Sequence, residues 1–519
     1  MNRFRIWLRA QARIPFRSYC ADRPSLPESR RKRRCILESS RTFQGNYGQD
    51  HDKNLSKMCK TTLKLRQKCA IFRIKRILGM KREIESAFSS WKKRKDRKPL
   101  VLMGARQVGK SWLMENFGRA NFRDIHIFDF VAMPDIASIF SRTKDPNEIL
   151  PKLEIISGRK IDRNEDVVIF DEIQDCGNAL NSLKYFYENC PSLAVMAAGS
   201  LLGVNLKKKK GAKNEPPKTY PVGKVEIVNV EPVSFSEFLC EKDKPLWEYY
   251  MSIEGDSPLP EIFHHRLWDA YCLYLTIGGM PEVVSSYLSE NDPAYVRKLQ
   301  LDLVSLYEND IVKYNGEIDA AKILAVLRSI VPQLAKENSK FIYGALREGA
   351  RGRGYEEAIE WLVSARMVRR VFNLDAIEYP LAAYSVRNAF KLYFNDVGML
   401  KVAAGITDDS LILDRDFSFK GRFVENYVLQ QLSKNVVGHV HYWAERSDRE
   451  IDFVIQHESE AIPVEVKAGG DKKVATFKSF VNAKKPRYAI RFSERNLRKD
   501  GAFVNIPLYL VDRFAACLM

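Results

Sequence analysis

Two groups of residues in this chain have the types and spacing that chemistry requires. The first opens with Gly104-Ala105-Arg106-Gln107-Val108-Gly109-Lys110-Ser111, a short loop with glycine at two points and a lysine and hydroxyl behind it. Glycines let such a loop curl until its N–H groups point inward at oxyanions. A lysine directly after the second glycine can reach the terminal phosphates of a nucleotide, and the serine hydroxyl can hold a divalent cation. The acidic pair Asp171-Glu172 completes this group. The second group lies near the C-terminus: Asp452, then Glu465 and Lys467 thirteen and fifteen residues later.

Chemistry of the first kind needs the loop between a strand and a helix, so that the helix N-terminus adds its partial positive charge. Lys98–Met103 reads as the strand, and Trp112–Phe117 as the helix, closed by Gly118. The apolar run Asp166–Phe170 reads as a strand of a parallel sheet that delivers Asp171 and Glu172 at its C-terminal edge, where such sheets bind ligands. Another strand, Leu193–Ala198, runs into Gly199-Ser200. The pattern implies ATP with Mg2+: Gly104 to Ser111 and Asp171 hold the nucleotide, and Ser111 and Asp171 take the metal. Glu172 orients and deprotonates the attacking water, and Ser200 senses the γ-phosphate. The plainer readings are a glycine turn, a strand ending in solvated acids, and a turn hydroxyl at Ser200. No arginine finger is assignable; Arg266 is one of many candidates.

Near the C-terminus, Arg449–Ile455 and Ala461–Lys467 read as two strands joined by His457-Glu458-Ser459-Glu460. Counting outward from that loop sets Gln456 against Ala461 and Asp452 against Glu465. Two carboxylates about 5 Å apart on one sheet face repel each other unless a cation sits between them. Lys467 projects from the same face as Glu465. Glu425 stands on a helix before the hairpin. The plainer reading is an amphipathic hairpin with its charged side in water.

Between these groups, the chain beyond Glu231–Leu239 turns helical, broken at Gly278-Gly279-Met280-Pro281, and reads as a lid. Two amphipathic helices, a basic loop with Arg347, Arg351 and Arg353, the helix Tyr355–Ala365 and the β-like Met367–Phe372 follow in winged-helix order. Glu356, Glu357 and Glu360 make that helix a poor face for phosphates, which favours a contact between domains over DNA reading.

A chain of 519 residues has room for three or four domains. Its apolar share of 45% and charged share of 29% are those of a globular protein, and no run of about 18 apolar residues marks a membrane span. Nine cysteines without a CxxC pair read as reduced thiols in a cytoplasmic protein. The net charge of +19 is concentrated: residues 1–79 carry 21 Lys/Arg against 5 Asp/Glu, and the rest 63 against 60. That segment reads as a solvated extension: a targeting peptide, a nucleic-acid-binding arm or translation upstream of the start at Met80.

The chain resembles a family of bacterial and archaeal AAA-type ATPases that join a P-loop domain to a C-terminal endonuclease-like domain. The resemblance runs from about Met80 to the end. It rests on the P-loop residues, Asp171-Glu172-Ile173-Gln174, Pro232–Phe238, Gly278–Glu282, Lys391–Gly398 and Glu465–Gly469. Asp452, Glu465 and Lys467 are similar to the core of PD-(D/E)xK nucleases, in which the carboxylates hold Mg2+ and the lysine helps activate water; that fold begins with a helix bearing a glutamate, and the resemblance puts Glu425 there. The resemblance implies an α/β chain: a P-loop core at 80–235, a helical lid at 236–315, a winged-helix-like part at 316–378 and a restriction-endonuclease-like domain at 379–519. Expected partners are ATP, DNA and further copies of the chain. A DNA-directed ATPase, an ATP-dependent switch, and a scaffold with an inactive nuclease-like binding module all fit these residues.

Overall fold

Strand β1 (Leu100–Met103) has no polar face, and Leu100, Val101 and Leu102 are fully buried. Such a strand must lie inside a sheet covered on both sides. It is joined by β2 (Ile125–Asp129), β3 (Val167–Asp171), β4 (Ala194–Gly199) and β5 (Glu226–Asn229) in the order β2-β3-β4-β1-β5. Every pairing is parallel. The computed structural model describes residues 80–200, 223–336, 339–414, 416–436, 438–446, 449–469 and 474–518. All of them fall within one compact unit, residues 72–519. The basic segment 1–79 and the polar loop Lys207–Lys218 lie outside the described residues.

Alternation along each strand divides the core. Leu100, Leu102, Val167 and Ile169 face helix α2 (Lys110–Asn121), which follows α1 (Glu85–Lys93) and contributes Leu113 and Phe117. Val101, Val168 and Phe170 face α3 (Gly177–Asn189) through Leu180 and Phe186. Gly118, read from the sequence as the end of α2, lies inside it. A Cβ there would stand 2.9 Å from Ile125 Cγ2, so its absence lets the helix settle onto the sheet.

Helix α4 (Phe235–Lys242) begins with a capping box, in which Ser234 and Glu237 satisfy each other's backbone N–H groups. Then come α5 (Glu261–Ile277), α6 (Pro281–Glu290) and α7 (Pro293–Tyr314), the last two started by proline in the first turn. No described helix is long and apolar enough to cross a membrane.

Helices α8 (Glu317–Leu334) and α9 (Gly352–Ser364) lead into the hairpin β6 (Val368–Leu374) and β7 (Ser385–Phe394). Two of the three glutamates of α9, Glu356 and Glu360, pair with Arg370 of β6, while Glu357 is exposed. The hairpin is the edge of a mixed eight-stranded sheet, ordered β12-β13-β11-β10-β9-β8-β6-β7. Its other members are β8 (His441–Arg446), β9 (Arg449–His457), β10 (Glu460–Val466), β11 (Ala489–Ser493), β12 (Arg498–Asp500) and β13 (Phe503–Pro507). A boundary between 378 and 379 thus separates two paired strands, and β6 also pairs parallel with β8. Nothing local announces that pairing, because β8 lies 67 residues beyond the end of β6.

Three sequence motifs with no evident chemistry meet where the two sheets join. The Val233 N–H donates to the Gly279 carbonyl at 2.7 Å, and the Gly279 N–H donates to Asp396 Oδ2 at 2.6 Å. Asp396 also caps α10 (Val397–Ala403) by accepting the Met399 N–H. From α11 (Lys420–Asn435), Gln430 donates to Asp396 at 3.1 Å and accepts the Val397 N–H at 3.0 Å. Gln431 accepts the Phe235 N–H. These buried polar groups are satisfied by one another, which ties α11 to the P-loop domain.

Candidate active site

The loop after β1 is shaped by close approach and by backbone handedness. A Cβ on Gly104 would overlap the Val230 carbonyl oxygen at the end of β5. Gln107 and Gly109 have φ of 65° and 90°, in the left-handed region. From Gly109 the chain enters α2, and Lys110 turns back so that its Nζ donates to the Gly104 and Ala105 carbonyls at 3.1 and 2.8 Å. Burial pushes the Lys110 ammonium down to about 8, against the opposing pull of Glu172 and Asp171.

The sheet order brings the acidic pair to this loop. Strand β4 lies between β1 and β3, so the ends of all three strands share one edge, with Ser200 directly after β4 and buried. Asp171 and Ser111 lie close enough to interact across this edge. Burial holds the Asp171 carboxyl above its usual range; Ser111 works against that, and Glu172 and Asp129 add to it. Glu172 stands in the left-handed region at φ 48°, and its carboxylate accepts from the Gln174 amide. A hydroxyl beside a carboxylate is a donor set for a hard divalent cation, and an inward-curled loop with a lysine suits phosphates. These residues therefore fit ATP with Mg2+.

Four further residues bear on this site. Asp129 ends β2 in register with Asp171. Arg82 donates to the Val108 and Glu231 carbonyls at 3.4 and 2.7 Å, and pairs with Glu237. Asp310 of α7 pairs with Arg106, and the Tyr307 hydroxyl donates to the Arg106 carbonyl at 3.1 Å. Asp129 was legible as the acid ending an apolar run. The others lie outside the motif, and Tyr307 and Asp310 are more than 200 residues away along the chain. Arg266 pairs with Asp243 at 2.7 Å.

In the C-terminal sheet, Gln456 does face Ala461, but His457 and Glu460 also pair. The turn is therefore Glu458-Ser459, two residues rather than four, with Glu458 at φ 52°. Trimming both sides equally preserves the register, and Asp452 Oδ2 accepts the Val466 N–H at 2.8 Å. Lys467 pairs with Glu465. Glu425, on α11, accepts from the Tyr393 hydroxyl at 3.1 Å and pairs with Arg422 at 2.7 Å. Burial, then the charges of Glu465 and Glu425, push the Asp452 carboxyl well above its usual range, while Lys467 opposes them. Burial also raises Glu465, against Lys467. Glu450 lies on the same strand face as Asp452 and pairs with the buried Lys391. Glu450, Lys391, Tyr393 and Arg422 were missed because their significance lies in contacts across the sheet and with α11. Among the described residues no group of three or more His, Cys, Asp or Glu side chains forms a metal site as placed. The residues here therefore do not fit a bound cation in this arrangement.

Residues 96–239 match the family model of the AAA domain. Residues 269–410 and 420–511 match two domains of unknown function, DUF8612 and DUF4143. No curated protein matches the chain. Among solved structures, a Walker-type ATPase of Pyrococcus abyssi is similar over 62% of this chain and 95% of its own, at 18% identity and a TM-score of 0.38. The RuvB Holliday junction branch migration motor of Thermotoga maritima is similar over 56% and 87%, at 14% identity and a TM-score of 0.25. AMPPCP-bound DnaA from Aquifex aeolicus is similar over 54% and 88%, at 12% identity and a TM-score of 0.23. The P-loop, the acidic pair and the parallel sheet thus fall within a stretch, residues 96–239, that matches an AAA-type ATPase domain.

Proposed function

We propose that the chain binds ATP with Mg2+ and hydrolyses it at the loop Gly104–Ser111, and that residues 379–519 are a nuclease-like module that engages DNA. The observation that carries the first part is the buried Lys110 ammonium, turned back onto the Gly104 and Ala105 carbonyls in the field of Asp171 and Glu172. Loop N–H groups and Lys110 would hold the phosphates. Ser111 and Asp171 would hold Mg2+, which supplies charge neutralisation at the phosphates. Glu172 would accept a proton from the attacking water, and Gln174 holds its carboxylate in place. Ser200 would report on the terminal phosphate. Residues 236–315 would be the lid and 316–378 a winged-helix-like part.

Two facing carboxylates with a lysine on the same face support the nuclease-like reading. A second reading, a module that binds without cutting, is favoured by the Lys467–Glu465 pair, which spends the lysine on its own carboxylate. ATP hydrolysis by the full chain, measured with Mg2+, with and without DNA, and alongside Glu172→Gln, tests the proposal. Turnover that rises with DNA and vanishes in the variant is expected. Tight binding without turnover under either condition would sink the hydrolytic reading. DNA cleavage that survives Asp452→Ala and Lys467→Ala would remove those residues from any nuclease site.

A further inference from the structure

Arg106 stands inside the phosphate loop, but its guanidinium is directed at a helix far along the chain. Its partner is Asp310 of α7, whose side chain is 5% exposed against 30% for Arg106. Tyr307, three residues earlier and so on the same helix face, holds the Arg106 backbone carbonyl. The helix thus grips the loop at two points on one residue.

The pair also lies between the charges of the site. The field of Arg106 reaches Lys110, and that of Glu172 reaches Asp310. Burial raises the Asp310 carboxyl, and Arg106, more than Lys313, works against that and favours its charged form. A triphosphate entering the loop brings several negative charges next to Arg106. Guanidinium binds phosphate as readily as carboxylate, with the same planar fork of donors.

We propose that Asp310 is a positioning residue that sets the nucleotide affinity of the loop through Arg106, the carboxylate and the incoming phosphates competing for one guanidinium. This rests on the reading of Gly104–Ser111 as a nucleotide site. Where Arg106 turns to phosphate, Asp310 is left without its cation beside Glu172, and α7 loses one of its two holds on the loop. Nucleotide binding then acts on α7 directly.

The test is binding of a non-hydrolysable ATP analogue with Mg2+ to the full chain, in wild type, D310N, R106A and the double variant. Because an exposed-to-buried ion pair is lost as a competitor, D310N should bind about three- to tenfold more tightly. In the R106A background the same substitution should change nothing, because there is no guanidinium to release. The gain should shrink as salt rises, which a merely structural role of Asp310 would not produce. D310E, which keeps the charge, should bind like wild type. D310S removes the charge with a smaller side chain and reads the same outcome where D310N fails to fold. Unchanged or weaker binding in D310N and D310S, or tightening that persists without Arg106, overturns the proposal. Binding that is absent in wild type and D310N alike, or unaffected by Lys110→Ala, overturns the nucleotide site itself and this inference with it.

Discussion

Asp396 accepts the Gly279 N–H at 2.6 Å, joining residues 117 positions apart in the chain. Through it, the turn that starts α6 is held against α11, the helix that carries Glu425. The same turn touches the phosphate loop, since a Cβ on Gly109 would lie 3.7 Å from Pro281 Cγ. The two candidate sites therefore share one buried support.

That support should be costly to damage. Asp396→Ala leaves the Gly279 and Met399 N–H groups and the Gln430 amide without their acceptor, a loss of about 2–4 kcal/mol. Gly278→Ala places a methyl on Asp396 at a backbone geometry, φ 76° and ψ −168°, that essentially only glycine adopts. The unfolding temperature should fall by about 2–4 °C in each. A change of under about 1 °C would show that the contact contributes nothing net.

Glu172→Gln should lower ATP turnover by a factor on the order of 100 or more while leaving ATP binding intact. Phosphate release and analogue binding, measured on the same preparation, separate the two. Turnover retained within about threefold would remove Glu172 from the chemistry.

Lys110 should give nucleotide binding a pH dependence. Burial lowers its ammonium to about 8, so the cation that meets the phosphates is lost as pH rises through that value. Analogue affinity measured from pH 7 to 9 should fall in wild type, and the fall should be absent in Lys110→Met. For stability the sign is opposite. The unfolded lysine keeps its proton up to its ordinary value of 10.5, so the folded state's penalty is full below about 8 and relieved between the two.

The Asp452–Glu465 pair should respond to pH in the other direction. Both carboxyls are raised in the folded protein, so their stabilising protons are held at low pH and lost as pH rises through the folded values. Asp452→Asn should therefore melt with wild type near pH 3, below the ordinary carboxyl value of 3.8, and above it near pH 8. Added Mg2+ raising the wild-type melting temperature but not the variant's would indicate a cation site that forms on binding. Equal curves across the range would mean the two carboxylates do not interact.

The sequence alone determined the local chemistry of this protein. Gly104 to Ser111 between an apolar strand and a helix, and Asp171-Glu172 after another apolar strand, were readable because backbone handedness, strand burial and helix entry depend on neighbouring residues. The facing of Gln456 and Ala461 was readable for the same reason, since a short hairpin ties register to its turn. Tertiary structure alone decided which distant residues meet. Asp310 reaches Arg106, Gln430 reaches Asp396, and β6 pairs with β8. Those choices depend on how helices and sheets pack as whole bodies. A buried carboxylate or arginine shows its partner only once the chain has folded around it.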